Sequence, residues 1–151
     1  MLTFLDSSDQ TALRHGLEAR PFLIKPNEDE IAALTEKSLT STSDYAQAAV
    51  ALSQRYGSIV VISLGAQGAV VARGTQTLHV QNPPMNAKSA VGSGDCMLAG
   101  LAYGFTHGFP FEDALKYGVA AGTANTLTIG AGTFTPDDFE RIRAEITLFY
   151  I

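Results

Sequence analysis

Four β-branched residues stand in succession at Ile59-Val60-Val61-Ile62, with no polar residue between them. A strand with one wetted face alternates polar and apolar residues. A run that is apolar on both faces is covered on both, as a strand is inside a parallel sheet flanked by helices. This stretch marks a buried parallel strand, and the segments around it suit helices that would cover it. Leu2 to Leu5 is a short apolar run, and Asp9 to Ala19 carries helical spacing in Leu13 and Leu17. Phe22-Leu23-Ile24 is a second strand stopped by Pro26, and Glu28 to Glu36 predicts the next helix. A polar stretch from Lys37 to Ser43 leads into a helix from Asp44 to Tyr56, with Thr42 or Ser43 as its N-cap. Ala69 to Ala72 and Thr77 to Val80 predict a hairpin about Arg73-Gly74. Further helices are expected at Gly94 to His107, at Phe111 to Ile129 and at Pro136 to Phe149. The β-α-β-α opening around a central apolar strand predicts a doubly wound α/β sheet. The break at Asn82-Pro83-Pro84 reads as a loop, so residues 1–151 read as one domain.

Composition narrows the classes of function. A net charge of −5 argues against a general nucleic-acid binder, which normally shows a basic face. It leaves room for a nucleotide, where a few local donors and a metal outweigh the global charge. No apolar run reaches the ~20 residues of a membrane span, and Met1-Leu2-Thr3-Phe4-Leu5-Asp6 lacks the basic start of a signal peptide. The single cysteine, Cys96, excludes an internal disulfide and fits a reducing compartment, so a cytoplasmic location is expected. His15, His79 and His107 share no ligand spacing.

Three loops carry the chemistry. In Ser89-Ala90-Val91-Gly92-Ser93-Gly94-Asp95, small residues lead into a helix start, where backbone N–H groups can approach an anion unobstructed by Cβ atoms. Asp95 then stands beside that anion, where a carboxylate suits removing a proton from a hydroxyl that attacks phosphate. A glycine-rich turn capping a buried helix accounts for the same residues. Lys25-Pro26-Asn27-Glu28-Asp29-Glu30 follows the second strand. Asn27 and Glu30 have the spacing of a capping box; equally, they place an amide and a carboxylate near a hydrated Mg²⁺, with Lys25 near phosphate. Ser63-Leu64-Gly65-Ala66-Gln67-Gly68 follows the apolar strand, and its glycines suit either a tight turn or a loop lying flat against a nucleotide. Each loop alone reads as a turn. Three of them at strand ends, where open α/β sheets bind ligands, point to a site.

In this order the loops resemble those of the phosphofructokinase B family of ribokinase-like carbohydrate kinases. The likeness lies in Lys-Pro-Asn-x-x-Glu at 25–30, Ser-Leu-Gly-x-x-Gly at 63–68 and Val-Gly-Ser-Gly-Asp at 91–95, and extends to the helix around Gly118 to Asn125. Their wording is most similar to the branch acting on phosphorylated hexoses, the 1-phosphofructokinases and tagatose-6-phosphate kinases. The resemblance implies ATP and Mg²⁺ as cofactors and fructose 1-phosphate, tagatose 6-phosphate or fructose 6-phosphate as substrate. It implies Asp95 as the base, and the N–H groups of Gly92, Ser93 and Gly94 as an anion hole. Lys25 and Asn27 would contact ATP phosphates, Glu30 would hold Mg²⁺ through water, and Ser63, Gly65 and Gly68 would line the nucleotide. Asn125 would stand near the adenine. A P-loop NTPase is not expected, because no Gly-x-x-x-x-Gly-Lys-Ser/Thr occurs.

The chain departs from the family in three ways. Ala90 replaces the usual Thr or Pro, and Ser93 the commoner alanine. Cys96, directly after the base, reads as a small buried hydrophobe. Family members are about twice as long, and the resemblance covers their C-terminal, ATP-binding half. The N-terminal half would carry the sugar-binding motif and the lid. Its absence is expected to leave an open sheet edge and self-association through it. Two other readings stay open: an inactive nucleotide-binding fragment, and a structural or regulatory piece.

Overall fold

The computed structural model describes residues 1–151. Its elements, in order, are β1 (Phe4–Leu5), α1 (Gln10–Glu18), β2 (Leu23–Ile24), α2 (Glu28–Thr35), α3 (Thr42–Tyr56), β3 (Ile59–Ser63), β4 (Ala69–Arg73), β5 (Gln76–Gln81), α4 (Ser93–Thr106), α5 (Phe111–Asn125), α6 (Pro136–Glu145) and β6 (Thr147–Tyr150). The strands form one sheet whose spatial order follows the chain. Its first three strands are parallel, with Leu23 opposite Ile59 and Ile24 opposite Val60, and β4 runs antiparallel to β3. The α/β class expected from the β-α-β-α opening is the one found, and Val60, Val61 and Ile62 are fully buried.

The contacts divide the chain into two compact units. One holds Met1–Gly65, Ala69–His79 and Phe149–Ile151, and the other Ala66–Gly68 and Val80–Leu148.

In the first unit α1, α2 and α3 bury Leu13, Leu17, Ile31, Leu34, Ala49 and Leu52 against Ile24, Val60, Ile62, Val70 and Ala72. Each such leucine or isoleucine contributes about 1.5–3 kcal/mol when fully buried. The N-cap of α3 is Ser41 rather than Thr42 or Ser43. Ser41 Oγ accepts from the Asp44 N–H at 3.1 Å, and the Asp44 carboxylate accepts from the Ser41 N–H at 2.9 Å. An aspartate thus closes a capping box that usually takes Glu or Gln, and the helix starts earlier than the apolar spacing implied.

In the second unit α4 and α5 approach closely because glycines line the contact. A Cβ on Gly118 would stand 2.3 Å from Leu101 Cγ, and one on Gly100 2.9 Å from Gly118 Cα. Helix α5 ends at Asn125, not at Ile129. Its last turn tightens as the Thr126 and Leu127 N–H groups bond Thr123 and Ala124 three residues back. Helix α6 stops at Glu145 instead of reaching Phe149, because Ile146 is extended at φ −65° and ψ 129°. The segment Thr147–Tyr150 is β6, a strand the sequence reading missed.

Candidate active site

The Lys-Pro-Asn loop continues the pairing of β2 with β3 past the end of β2. The Ser63 N–H donates to Pro26 O at 3.0 Å, and Asn27 forms a parallel bridge with Ser63. Two of the loops singled out in the sequence therefore meet inside the first unit. Lys25 is buried, only 3% exposed, and its Nζ lies 2.9 Å from Asp6 Oδ2. Asn27 Oδ1 accepts from the Glu30 N–H at 2.9 Å, while Glu30 Oε2 accepts from the Asn27 N–H at 2.8 Å. The capping box that the spacing allowed is thus formed. It engages one oxygen of each side chain and leaves Asn27 Nδ2 and Glu30 Oε1 without a partner from the chain.

The chain has no group of three His, Cys, Asp or Glu side chains placed to hold a metal ion. A hydrated Mg²⁺ here would keep its own waters, with Glu30 reaching it only through one of them.

Gly65 takes φ 53° and is exposed with open space around it. Gly68, in the second unit, is glycine for two reasons. Its φ is 88°, and a Cβ there would stand 2.0 Å from Val80 O.

The remaining candidates gather in the second unit. Helix α4 begins at Ser93 with Gly92 as its N-cap at φ 79° and no side-chain cap. The Ser93 N–H donates to Ala90 O at 3.1 Å and the Cys96 N–H to Gly92 O at 2.9 Å. No acceptor of the chain meets the N–H groups of Gly94 and Asp95, which project from the positive end of the helix. Of the three N–H groups expected to form an anion hole, those of Gly92 and Gly94 meet no acceptor of the chain, and that of Ser93 is engaged by Ala90 O. The Asp95 side chain is exposed, and no hydrogen bond or ion pair engages it. A free carboxylate beside unsatisfied N–H groups is suited to accept a proton next to a bound anion.

Asn125 is fully buried. Its Nδ2 donates to Val91 O at 2.8 Å and Ser93 Oγ at 3.2 Å, and its Oδ1 accepts from the Gly132 N–H at 2.7 Å and Cys96 Sγ at 3.4 Å. Two donors and two acceptor sites are all that an amide has, so Asn125 has none left for an adenine ring. Just beyond it, Thr126 O accepts from the N–H groups of Lys88 and Ser89 at 2.7 and 3.2 Å. Sequence reading missed this tie and also missed Asp6 as the partner of Lys25. Both are long-range pairings that no local pattern signals.

The sequence matches the model of the pfkB family carbohydrate kinases over residues 1–138. It is 34% identical over 142 residues to a 1-phosphofructokinase of Vibrio cholerae, covering 94% of this chain and 45% of the relative. It is 33% identical over 156 residues to a tagatose-6-phosphate kinase of Staphylococcus epidermidis, covering 100% of this chain and 49% of the relative. The crystal structure of phosphofructokinase-2 from Escherichia coli in complex with substrates and products superposes with a TM-score of 0.86 at 34% identity, over 93% of this chain and 46% of that one. A ribokinase from Thermotoga maritima, 23% identical with a TM-score of 0.70 over 83% of this chain and 43% of that one, shares the fold. The chain spans about half the length of the curated relatives it matches. With the family's model matched over residues 1–138 and its fold in place, the chain belongs to the pfkB family of carbohydrate kinases.

Proposed function

We propose that this chain carries the ATP-binding and base-bearing part of a kinase that transfers the γ-phosphoryl group of ATP to a hydroxyl of a phosphorylated hexose. The observation that carries this reading is the exposed, unpartnered Asp95 on the first turn of α4, next to the open N–H groups of Gly94 and Asp95. Asp95 takes the proton from the acceptor hydroxyl as its oxygen bonds to phosphorus. The bond to the ADP oxygen breaks, and the N–H groups of Gly92, Gly94 and Asp95, which no acceptor of the chain engages, offset the charge on the transferred group. Lys25 and Asn27 meet the nucleotide phosphates; Ser63, Gly65 and Gly68 lie along the nucleotide. Glu30 would hold Mg²⁺ through a water molecule, and the ion would there offset phosphate charge. The names of the relatives support fructose 1-phosphate, fructose 6-phosphate or tagatose 6-phosphate as acceptor.

The test is ADP release by the purified chain with Mg-ATP and each of the three sugar phosphates. Turnover with one of them, lost in Asp95→Asn, is the expected result. Turnover that survives Asp95→Asn overturns the assignment of the base.

A second reading rests on the chain spanning about half of its relatives' length. It is a nucleotide-binding fragment that binds Mg-ATP without transferring phosphate. β1 is the outermost strand of the sheet, and an unpaired edge favours self-association. Light scattering at rising concentration tests this, and a monomer throughout would count against it.

A further inference from the structure

We infer that Asn125 is a positioning residue that sets the anion-binding turn at 91–95 by clamping it from behind, rather than a residue that contacts the nucleotide. The inference rests on the reading of that turn as an anion site. Asn125 has 0% exposure and uses every hydrogen-bonding position of its amide inside the chain. Its two N–H donors reach the residues on either side of Gly92. Val91 O fixes the peptide entering the turn, and Ser93 Oγ fixes the first residue of α4. Its oxygen holds the Gly132 N–H, which brings the 130–132 turn against the same place. There Ala131 packs on Gly92 so tightly that a Cβ on Gly92 would stand 2.4 Å from Ala131 Cβ.

The anion turn thus lies against a wall built of one amide and one methyl group. A helix N-terminus binds an anion only while its N–H groups converge on one point, and that convergence is what the wall maintains. The fourth bond gives the arrangement a reporter. Cys96 Sγ donates to Asn125 Oδ1 at 3.4 Å, and Cys96 is the chain's only cysteine.

The experiment measures binding of Mg-ATP and of Mg-tripolyphosphate, which lacks a base, to the full chain and to Asn125→Ala. Asn125→Ser, which keeps one polar group, a hydroxyl one bond nearer the backbone than the amide, serves as a milder variant, and circular dichroism confirms folding at the temperature used. The expected result is that affinity falls by about tenfold or more, and by the same factor for both ligands. Cys96 should also react faster with a disulfide reagent in the same variants. A loss confined to Mg-ATP would mean that Asn125 touches the base, and would overturn the inference. Unchanged affinity for both ligands in a folded variant would overturn it too, leaving Asn125 a purely structural residue. A wild-type chain that binds neither ligand would instead overturn the reading of the turn as an anion site, and this inference with it.

Discussion

The ammonium of Lys25 lies 2.9 Å from a carboxylate oxygen of Asp6, and only 4% of the lysine side chain and 21% of the aspartate side chain reach solvent. A cation this deeply buried depends on its partner. Removing one member of a buried pair leaves an uncompensated charge and typically costs about 3–5 kcal/mol, whereas replacing both with apolar groups is often close to neutral. Asp6→Ala is therefore expected to lower the urea midpoint far more than the double substitution Asp6→Leu, Lys25→Met. Equal midpoints for the two variants would mean that Asp6 is not what stabilises the buried ammonium. The pair also bears on the proposed phosphate contact, because Lys25 must exchange one anion for another to reach it. Saturating Mg-ATP should then raise the melting temperature of Asp6→Ala by more than that of the wild type.

Gly92 is expected to tolerate no side chain, for two separable reasons. Its φ of 79° strains any L-residue by about 1 kcal/mol, and its Cβ position falls 2.4 Å from Ala131 Cβ. Gly92→Ala should lower stability and abolish the increase in melting temperature produced by Mg-ATP. In an Ala131→Gly background the 2.4 Å collision is gone, while the strain and a 3.2 Å approach to the Cα of residue 131 remain, so part of the stability should return. Should Gly92→Ala cost the same in both backgrounds, Ala131 would not be the obstacle.

The parts of this structure that local chemistry determines were legible in the sequence, and the parts set by distant partners were not. Ile59 to Ile62 revealed a buried strand because burial on both faces removes alternation. Asn27 and Glu30 revealed a capping box because its two bonds span only three residues. The spacing after Pro136 continues a helix to Phe149, yet Thr147 to Tyr150 form a strand, which these residues suit. What fixes their end is remote: the Ile151 N–H donates to Thr77 O at 3.1 Å, and the Thr77 hydroxyl donates to Ile151 O. Asn125 was placed beside a nucleotide by resemblance alone. Its four partners lie between seven and 34 residues away, at Gly132, Cys96, Ser93 and Val91, and spacing within α5 carries no trace of them.

Glu30 serves as a cap and is proposed to face Mg²⁺, and two substitutions separate these roles. Gln at this position keeps a carbonyl oxygen able to accept from the Asn27 N–H, so the box survives while the charge is lost. Ala removes both. Without Mg²⁺, Glu30→Gln should melt close to the wild type, whereas Glu30→Ala should lose about 0.5–2 kcal/mol, the usual value of a cap. With nucleotide present, both should require more Mg²⁺ to reach the same increase in melting temperature. An unchanged Mg²⁺ requirement in both variants would leave Glu30 with its capping role alone.

Asp44 makes the stability of the first unit depend on acid in a definable window. The Thr40 N–H, at 3.0 Å, and then the Ser41 hydroxyl and the Ser41 N–H, at 2.9 Å, hold its carboxyl below the ordinary value of 3.8. A carboxyl whose pKa is depressed on folding favours the folded state once it is ionised in the unfolded chain as well. Its stabilisation is therefore complete above 3.8 and disappears as pH falls through the lower, folded value. Asp44→Asn retains an oxygen that can accept but has no proton to titrate. Its melting temperature should lie below that of the wild type at neutral pH, and the gap should close as the solution is taken well below pH 3.8. Asp138, whose carboxyl is lowered in the same way, first by the Arg141 side chain and then by the Thr135 hydroxyl, is present in both proteins and cancels in the comparison. A gap that stayed constant down to the acid limit would show that the Asp44 bonds, not its charge, account for the difference.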